Sequence, residues 1–289
     1  MGCLQKSYRK LHIFLEMIKF EHTIFALPFA YLGAFLAAGG VPTAHQLFWI
    51  TLAMLGARTA AMSLNRLIDR HLDALNPRTA NRALPRGLIS ALEVWVYTIL
   101  SFLLLFFSAH QLNDLCVRLL PVAVFILVIY SYTKRWTWGC HLVLGLADGL
   151  APMGAWVAVR ASLDLPALVL GLGMGLWVAG FDIIYACQDY DFDRQYGIHS
   201  IPARFGKERA LFIARVFHAV SVGFLLALGV LLRLGVLYFV GVAVAGLILI
   251  HEHRLVSPQD LSRINIAFLQ MNGYLSVLMF VFTVLALTL

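Results

Sequence analysis

Asn65, Asp69 and Asp73 recur at every fourth position in NRLIDRHLD, and Asp189 and Asp193 repeat the spacing in CQDYDFD. On an α-helix four residues is slightly more than one turn, so each set forms a stripe of oxygen ligands along one face. Two acidic stripes facing each other repel unless cations lie between them. Mg²⁺ suits such a site because it takes one or two carboxylates, keeps several waters and completes its octahedron with phosphate oxygens. Arg66, Arg70, Arg78, Arg82, Lys134 and Arg135 fall in the same polar regions and can hold further phosphate oxygens. The chemistry implied is the binding of a diphosphate and its stabilisation as a leaving group.

Any single Asp or Arg here reads more simply as a solvated loop charge. Two aspartate pairs with an asparagine one turn before the first read otherwise. Arg58 and Asp182 strengthen the case, because each lies seven residues inside its motif, on the helical face of Asn65 or Asp189. A charge at the centre of a membrane span costs about 2.5–3.5 kcal/mol on insertion scales, so such residues mark sites.

Membrane spans are what must position them. The chain is 61% hydrophobic and 13% charged, with mean hydropathy +0.83, against about 25% charge in soluble domains. Apolar runs of about 20 residues, enough to cross a ~30 Å hydrocarbon core, predict nine spans: 23–40, 46–66, 92–109, 115–133, 139–159, 165–187, 211–232, 234–250 and 269–288. The expectation is an all-α, multi-pass helical bundle in the lipid bilayer, with residues 1–289 forming one domain. Polar loops at about 67–91 and 188–210 each begin with an aspartate pair, suggesting a four-plus-four internal repeat with the ninth span left over.

Of the 22 Lys and Arg residues, all but Arg58, Arg118, Arg160, Arg215 and Arg233 cluster at the N-terminus or in the loops after the second, fourth, sixth and eighth spans. Positive loops stay cytoplasmic, which puts both aspartate loops on the cytoplasmic side. Topology and anion binding account for the net charge of +7, and nothing in it suggests nucleic acid. Cys3, Cys116, Cys140 and Cys187 have no CxxC spacing and are expected to be free thiols. Residues 1–20 read as an interfacial amphipathic helix, Glu21 and His22 as anchors entering the first span, and HEHR (251–254) as a solvated loop. The glycines of LGLGMGLWVAG (170–180) are expected to serve close helix packing. Asp148, in the middle of the fifth span, either touches a substrate or pairs with a neighbouring His or Arg.

NRLIDRHLD followed by DALNPRTANRALPRG resembles the first signature of the UbiA superfamily of intramembrane prenyltransferases. YACQDYDFDRQYGIHSIPARFG (185–206) is similar to its second signature, and Tyr130-x3-Lys134 in YSYTKRW matches a third element. The resemblance runs in order across almost the whole chain. It implies helices around a central cavity, capped by the two polar loops, and transfer of a prenyl chain from a polyprenyl diphosphate to an aromatic acceptor with Mg²⁺. It assigns Asn65, Asp69, Asp73, Asp189 and Asp193 to the metal–diphosphate complex, and Lys134, Arg78 and Tyr130 to diphosphate contact and departure.

Asp182 joins the candidate catalytic residues, and Arg58, Arg70 and Arg135 are the cations available to an acceptor carboxylate. The resemblance extends to bacterial members acting on 4-hydroxybenzoate, implying an inner-membrane enzyme of ubiquinone or menaquinone biosynthesis. KFEHTIFALPFAYLGAFLA (19–37) and LGLADGLAPMGAWVAV (144–159) look more like a bacterial subgroup labelled 4-hydroxybenzoate polyprenyltransferase, some members of which are placed in the futalosine route to menaquinone. From a different class, a transporter also keeps ionisable groups in the membrane. It would be expected to place them at the midplane on broken helices.

Overall fold

The computed structural model describes residues 3–19 and 21–289, with side chains described for 8–19 and 27–289. Cys3, Glu21 and His22 therefore carry expectations whose side chains lie outside the described set. Twelve α-helices run through these residues: α1 (Cys3–Met17), α2 (Glu21–Ala38), α3 (Ala44–Leu75), α4 (Ala91–Leu112), α5 (Asp114–Thr133), α6 (Cys140–Arg160), α7 (Leu165–Ala186), α8 (Tyr190–Gln195), α9 (Ile201–Phe205), α10 (Lys207–Leu231), α11 (Val236–Arg254) and α12 (Asn272–Thr288). A 3₁₀ turn at Cys187–Asp189 joins α7 to α8, and a π turn at Ile266–Met271 leads into α12. Among the described residues, eight helical runs are long and apolar enough to cross a membrane. With the shorter apolar stretch Leu27–Ala38 of α2 they account for the nine expected spans. The protein is an integral multi-pass membrane protein.

Several boundaries move beyond the apolar windows, because helical hydrogen bonding continues where hydropathy stops. The second span, expected over 46–66, is α3 and runs on to Leu75, so the whole Asn65–Asp73 stripe stands on one continuous helix. Its start is fixed by a capping box: the Thr43 hydroxyl accepts from the Gln46 amide at 3.2 Å, and Gln46 Oε1 accepts from the Thr43 amide at 3.0 Å. Ser90 and Glu93 cap α4 in the same way. Asn113 caps α5 and donates to the Val157 carbonyl at 2.8 Å, tying the α4–α5 turn to the end of α6.

The second aspartate pair does not lie on the regular helix expected. Asp189 ends the 3₁₀ turn and Asp193 lies in α8. The tightened turn re-aims the chain as it leaves the membrane, so the two carboxylates take different partners.

HEHR is likewise not a solvated loop. These four residues form the last turn of α11, where Glu252 is 0% exposed and His253 Nε2 lies 3.0 Å from His218 Nδ1 of α10. The window over 234–250 ended at the first charged residues, but the helix and its packing go on. Residues 3–17 do form a helix, yet Phe14, Met17 and Ile18 are buried against Leu67, Ile89 and Val94 instead of facing only lipid. An ion pair between Lys10 and Glu93 adds a polar link to α4.

α6 and α7 carry Asp148 and Asp182, and glycine lets them approach closely. A Cβ on Gly145 would fall 2.1 Å from the Gly175 carbonyl oxygen, and one on Gly149 would fall 2.4 Å from that of Gly171. Backbone meets backbone there, the small-residue packing that membrane helices favour. Away from the site, α2, α6, α7, α10, α11 and α12 share a core around Leu32, Trp156, Leu170, Tyr238 and Met279, each at most 1% exposed.

Candidate active site

A polar cavity of about 870 Å³ lies between the ends of α3, α5, α6 and α7 and the two loops. It brings together Asn65, Asp69, Asp73, Arg78, Tyr130, Lys134, Asp182, Asp189 and Asp193, residues spread over more than a hundred positions of sequence.

Asp69 is the most deeply set of the paired carboxylates, at 2% exposure. Lys134 Nζ donates to it at 2.5 Å, Arg135 Nη2 at 2.9 Å and Asn65 Nδ2 at 3.1 Å. Charge-assisted bonds of this kind offset the cost of burying a carboxylate. Asp73 accepts from Arg82 Nη1 on both oxygens, at 2.7 and 2.8 Å.

The loop after α3 folds back because the Thr79 hydroxyl donates to the Asp73 carbonyl at 2.9 Å, and the Arg78 amide donates to Asn76 Oδ1 at 2.9 Å. That turn sends Arg78 and Asn76 across the cavity to Asp189. Burial works against the Arg78 charge, but the hydrogen bonds and charge of Asp189 outweigh it and hold the guanidinium above its ordinary pKa. Asp193 is 7% exposed and accepts from the Ser200 hydroxyl at 2.7 Å.

Asp182 is joined to His141 Nδ1 at 2.6 Å. The Ile201 amide donates to His141 Nε2 at 3.3 Å, which leaves the ring proton on Nδ1 and directed at Asp182. Tyr130 donates its hydroxyl to the Ala61 carbonyl at 3.1 Å, bracing α5 on α3.

Three candidates lie elsewhere. Arg70 is exposed, with Nε donating to His71 at 3.2 Å. Arg135 stands behind Asp69, also donating to the Ile68 and Ser131 carbonyls at 3.0 Å. Arg58 lines a second, largely apolar chamber of about 380 Å³ between α3, α4, α5 and α6, where its Nε has no hydrogen-bond partner among the described residues. Met62, Tyr130 and Leu144 line both spaces and mark where they meet.

Among the described residues no three His, Cys, Asp or Glu side chains converge as a ready metal cage. The donor set is nevertheless four hard carboxylates around one cavity, which fits a cation that takes few protein ligands and fills its remaining positions with water and phosphate. The cations now bonded to these carboxylates are the groups a diphosphate would attract.

The UbiA prenyltransferase family model matches residues 26–284. The chain belongs to this family. A 4-hydroxybenzoate octaprenyltransferase of Yersinia pseudotuberculosis serotype O:1b (strain IP 31758) is 32% identical over 251 residues, covering 85% of this chain and 84% of that protein. Among solved structures, the apo form of a UbiA homolog from Aeropyrum pernix K1 superposes with a TM-score of 0.84 at 33% identity, covering 92% of this chain and 98% of that one. A UbiA homolog from Archaeoglobus fulgidus bound to GPP and Mg²⁺ shares the fold, with a TM-score of 0.69 at 21% identity over 96% of this chain and all of that one.

Spacing singled out the two aspartate pairs, and Lys134 entered as a nearby cation and through the family resemblance. His141, Asn76 and Ser200 were not singled out. Each acts as a partner that holds a carboxylate, and no local pattern announces a partner from another helix.

Proposed function

We propose that this protein transfers a polyprenyl chain from a polyprenyl diphosphate to an aromatic acid, with 4-hydroxybenzoate the leading acceptor, in quinone biosynthesis. The observation that carries this reading is the polar cavity with two acidic pairs and their basic partners, adjoined by an apolar chamber that shares Met62, Tyr130 and Leu144 with it. The Yersinia relative named for 4-hydroxybenzoate supports the acceptor class. Asymmetry of the basic residues supports a cytoplasm-facing site, and the Yersinia relative supports a bacterial inner membrane.

In this reading Asp69, Asp73, Asp189 and Asp193, with Asn65, hold Mg²⁺. The ion neutralises diphosphate charge and so improves the leaving group. Lys134, Arg78 and Arg82 exchange their carboxylate bonds for phosphate oxygens and fix the diphosphate at the cavity mouth. The allylic C–O bond breaks with its electron pair going to the diphosphate, an electron-rich ring carbon attacks the cation, and the ring carbon then loses its proton. The apolar chamber takes the prenyl chain and keeps water from the cation.

Asp182, oriented by His141, faces the cavity where the acceptor enters. Arg58 is the cation best placed for an acceptor carboxylate: Arg70 is at the surface and Arg135 is bonded to Asp69, whereas Arg58 Nε has no partner beside the junction.

The test is incubation of purified protein in lipid nanodiscs with labelled polyprenyl diphosphate, Mg²⁺ and a panel of aromatic acids, with products identified by mass. A prenylated acid that disappears on chelation is expected. Diphosphate release without any prenylated acid would count against the acceptor class.

A further inference from the structure

The apolar chamber has a feature that binding a hydrocarbon chain does not require. Among the described residues lining it, Arg58 and Asp148 are the charged side chains; nearly all the rest are Ala, Leu, Val, Ile and Met. The two stand at similar depth. Arg58 is seven residues, about 10 Å along α3, from Asn65, and Asp148 is eight residues, about 12 Å, from the start of α6.

They line the same chamber, one from α3 and the other from α6. Among the described residues no ion pair or hydrogen bond joins them, and neither bonds another side chain. An aspartate whose only role is to neutralise an arginine in an apolar surrounding is expected to contact it, because direct hydrogen bonding is what offsets desolvation. Here the two charges face one space without touching. Pro152 also has no N–H to donate to the Asp148 carbonyl four residues back, so α6 is weakened at this point of the chamber wall.

We infer that Asp148 selects the acceptor: it accepts a hydrogen bond from a ring hydroxyl of the aromatic acid whose carboxylate Arg58 receives. This rests on the prenyl-transfer reading above. The acceptor then lies at the junction marked by Tyr130, with its two polar ends on α3 and α6 and its ring beside the mouth of the polar cavity. The ligand class is an aromatic acid carrying at least one free hydroxyl. A methyl ether cannot donate to the carboxylate, and a simple benzoate leaves it unpaired in an apolar chamber. Sites built to bond a substrate hydroxyl reject analogues lacking it far more strongly than apolar pockets reject a methylene.

Equilibrium binding to the protein in nanodiscs tests this without turnover. The probes are 4-hydroxybenzoate, 4-methoxybenzoate and benzoate, together with a two-ring hydroxyaromatic acid and its methyl ether. The native protein is expected to prefer a hydroxy acid over its ether and over benzoate by about tenfold or more, the scale of a hydrogen bond to a charged group. In Asp148→Leu, which removes the acceptor at similar volume, the preference is expected to fall to about twofold or less, with benzoate bound as well as before or better.

Equal affinity of the native protein for each acid and its ether overturns the inference, and needs no variant to fold. So does a preference that survives in Asp148→Leu, or failure of every acid to bind. If Asp148 were only a counter-ion to Arg58, the variant would tighten binding of all the acids alike. Turnover with polyprenyl diphosphate and Mg²⁺, scored separately, decides the prenyl-transfer reading, so the two can fail independently.

Discussion

Arg78 donates to both carboxylate oxygens of Asp189, at 2.6 and 2.9 Å, and closes the polar cavity by linking the loop after α3 to the end of α7. Its third nitrogen donates to the Tyr185 hydroxyl at 3.1 Å, and the guanidinium lies over that ring, 5.2 Å from its centroid. A planar fork satisfies all of these contacts at once, and an ammonium does not. Arg78→Lys is therefore expected to lower kcat/KM by about tenfold or more despite conserving charge, and Arg78→Ala by about 10²-fold, the scale of removing one preorganised donor. Diphosphate release measured against donor concentration checks this. A lysine variant with native kinetics would show that the fork is dispensable.

Asp69 accepts from Asn65, Lys134 and Arg135 together. If those bonds hold a metal-binding carboxylate in position, Asp69→Asn and Asp189→Asn should each reduce turnover by at least about 10²-fold. Both should also raise the Mg²⁺ concentration giving half-maximal rate. The measurement is a Mg²⁺ titration at saturating donor. Native activity in both variants sinks the metal assignment, and loss of rate without a change in Mg²⁺ dependence points to the carboxylates positioning Lys134 and Arg78 instead.

His141 is 3% exposed and bridges Asp182 to the Ile201 amide, joining α6, α7 and the start of α9. Truncating it leaves the half-buried Asp182 carboxylate and the buried Ile201 N–H short of a partner, the latter at a cost of about 1–3 kcal/mol. His141→Ala is expected to lower the thermal midpoint in detergent. His141→Asn, which retains one donor near Asp182, is expected to recover part of the loss. An unchanged midpoint in the alanine variant would mean water or another donor serves Asp182 equally well.

The bundle was legible because twenty-residue apolar windows are a property of the chain itself. The first acidic stripe was legible because α3 continues as a regular helix from Asn65 through Asp73. The second was read only in part, since nothing in CQDYDFD announces that the chain tightens to 3₁₀ at Cys187–Asp189. Polar residues that end a hydropathy window were misread where tertiary packing covers them, as at Glu252. The partners of the carboxylates, His141 and Ser200 among them, come from distant segments, and pairing between helices has no period in the sequence.

The apolar chamber makes a prediction about donor length. Along α5 its lining runs from Tyr130 to Cys116, fourteen residues or about 21 Å, with Ala123 midway on the wall. A bulky side chain at that position would divide the chamber without touching the polar cavity, whose lining does not include it. Ala123→Trp is expected to leave use of a short donor such as geranyl diphosphate within about threefold of native, while reducing use of long-chain donors by about tenfold or more, the discrimination that apolar pocket contacts typically supply. Kinetics with a series of donors of increasing length check this. Equal losses for short and long donors would mean that the chain leaves the site by another route, and that this chamber serves the acceptor alone.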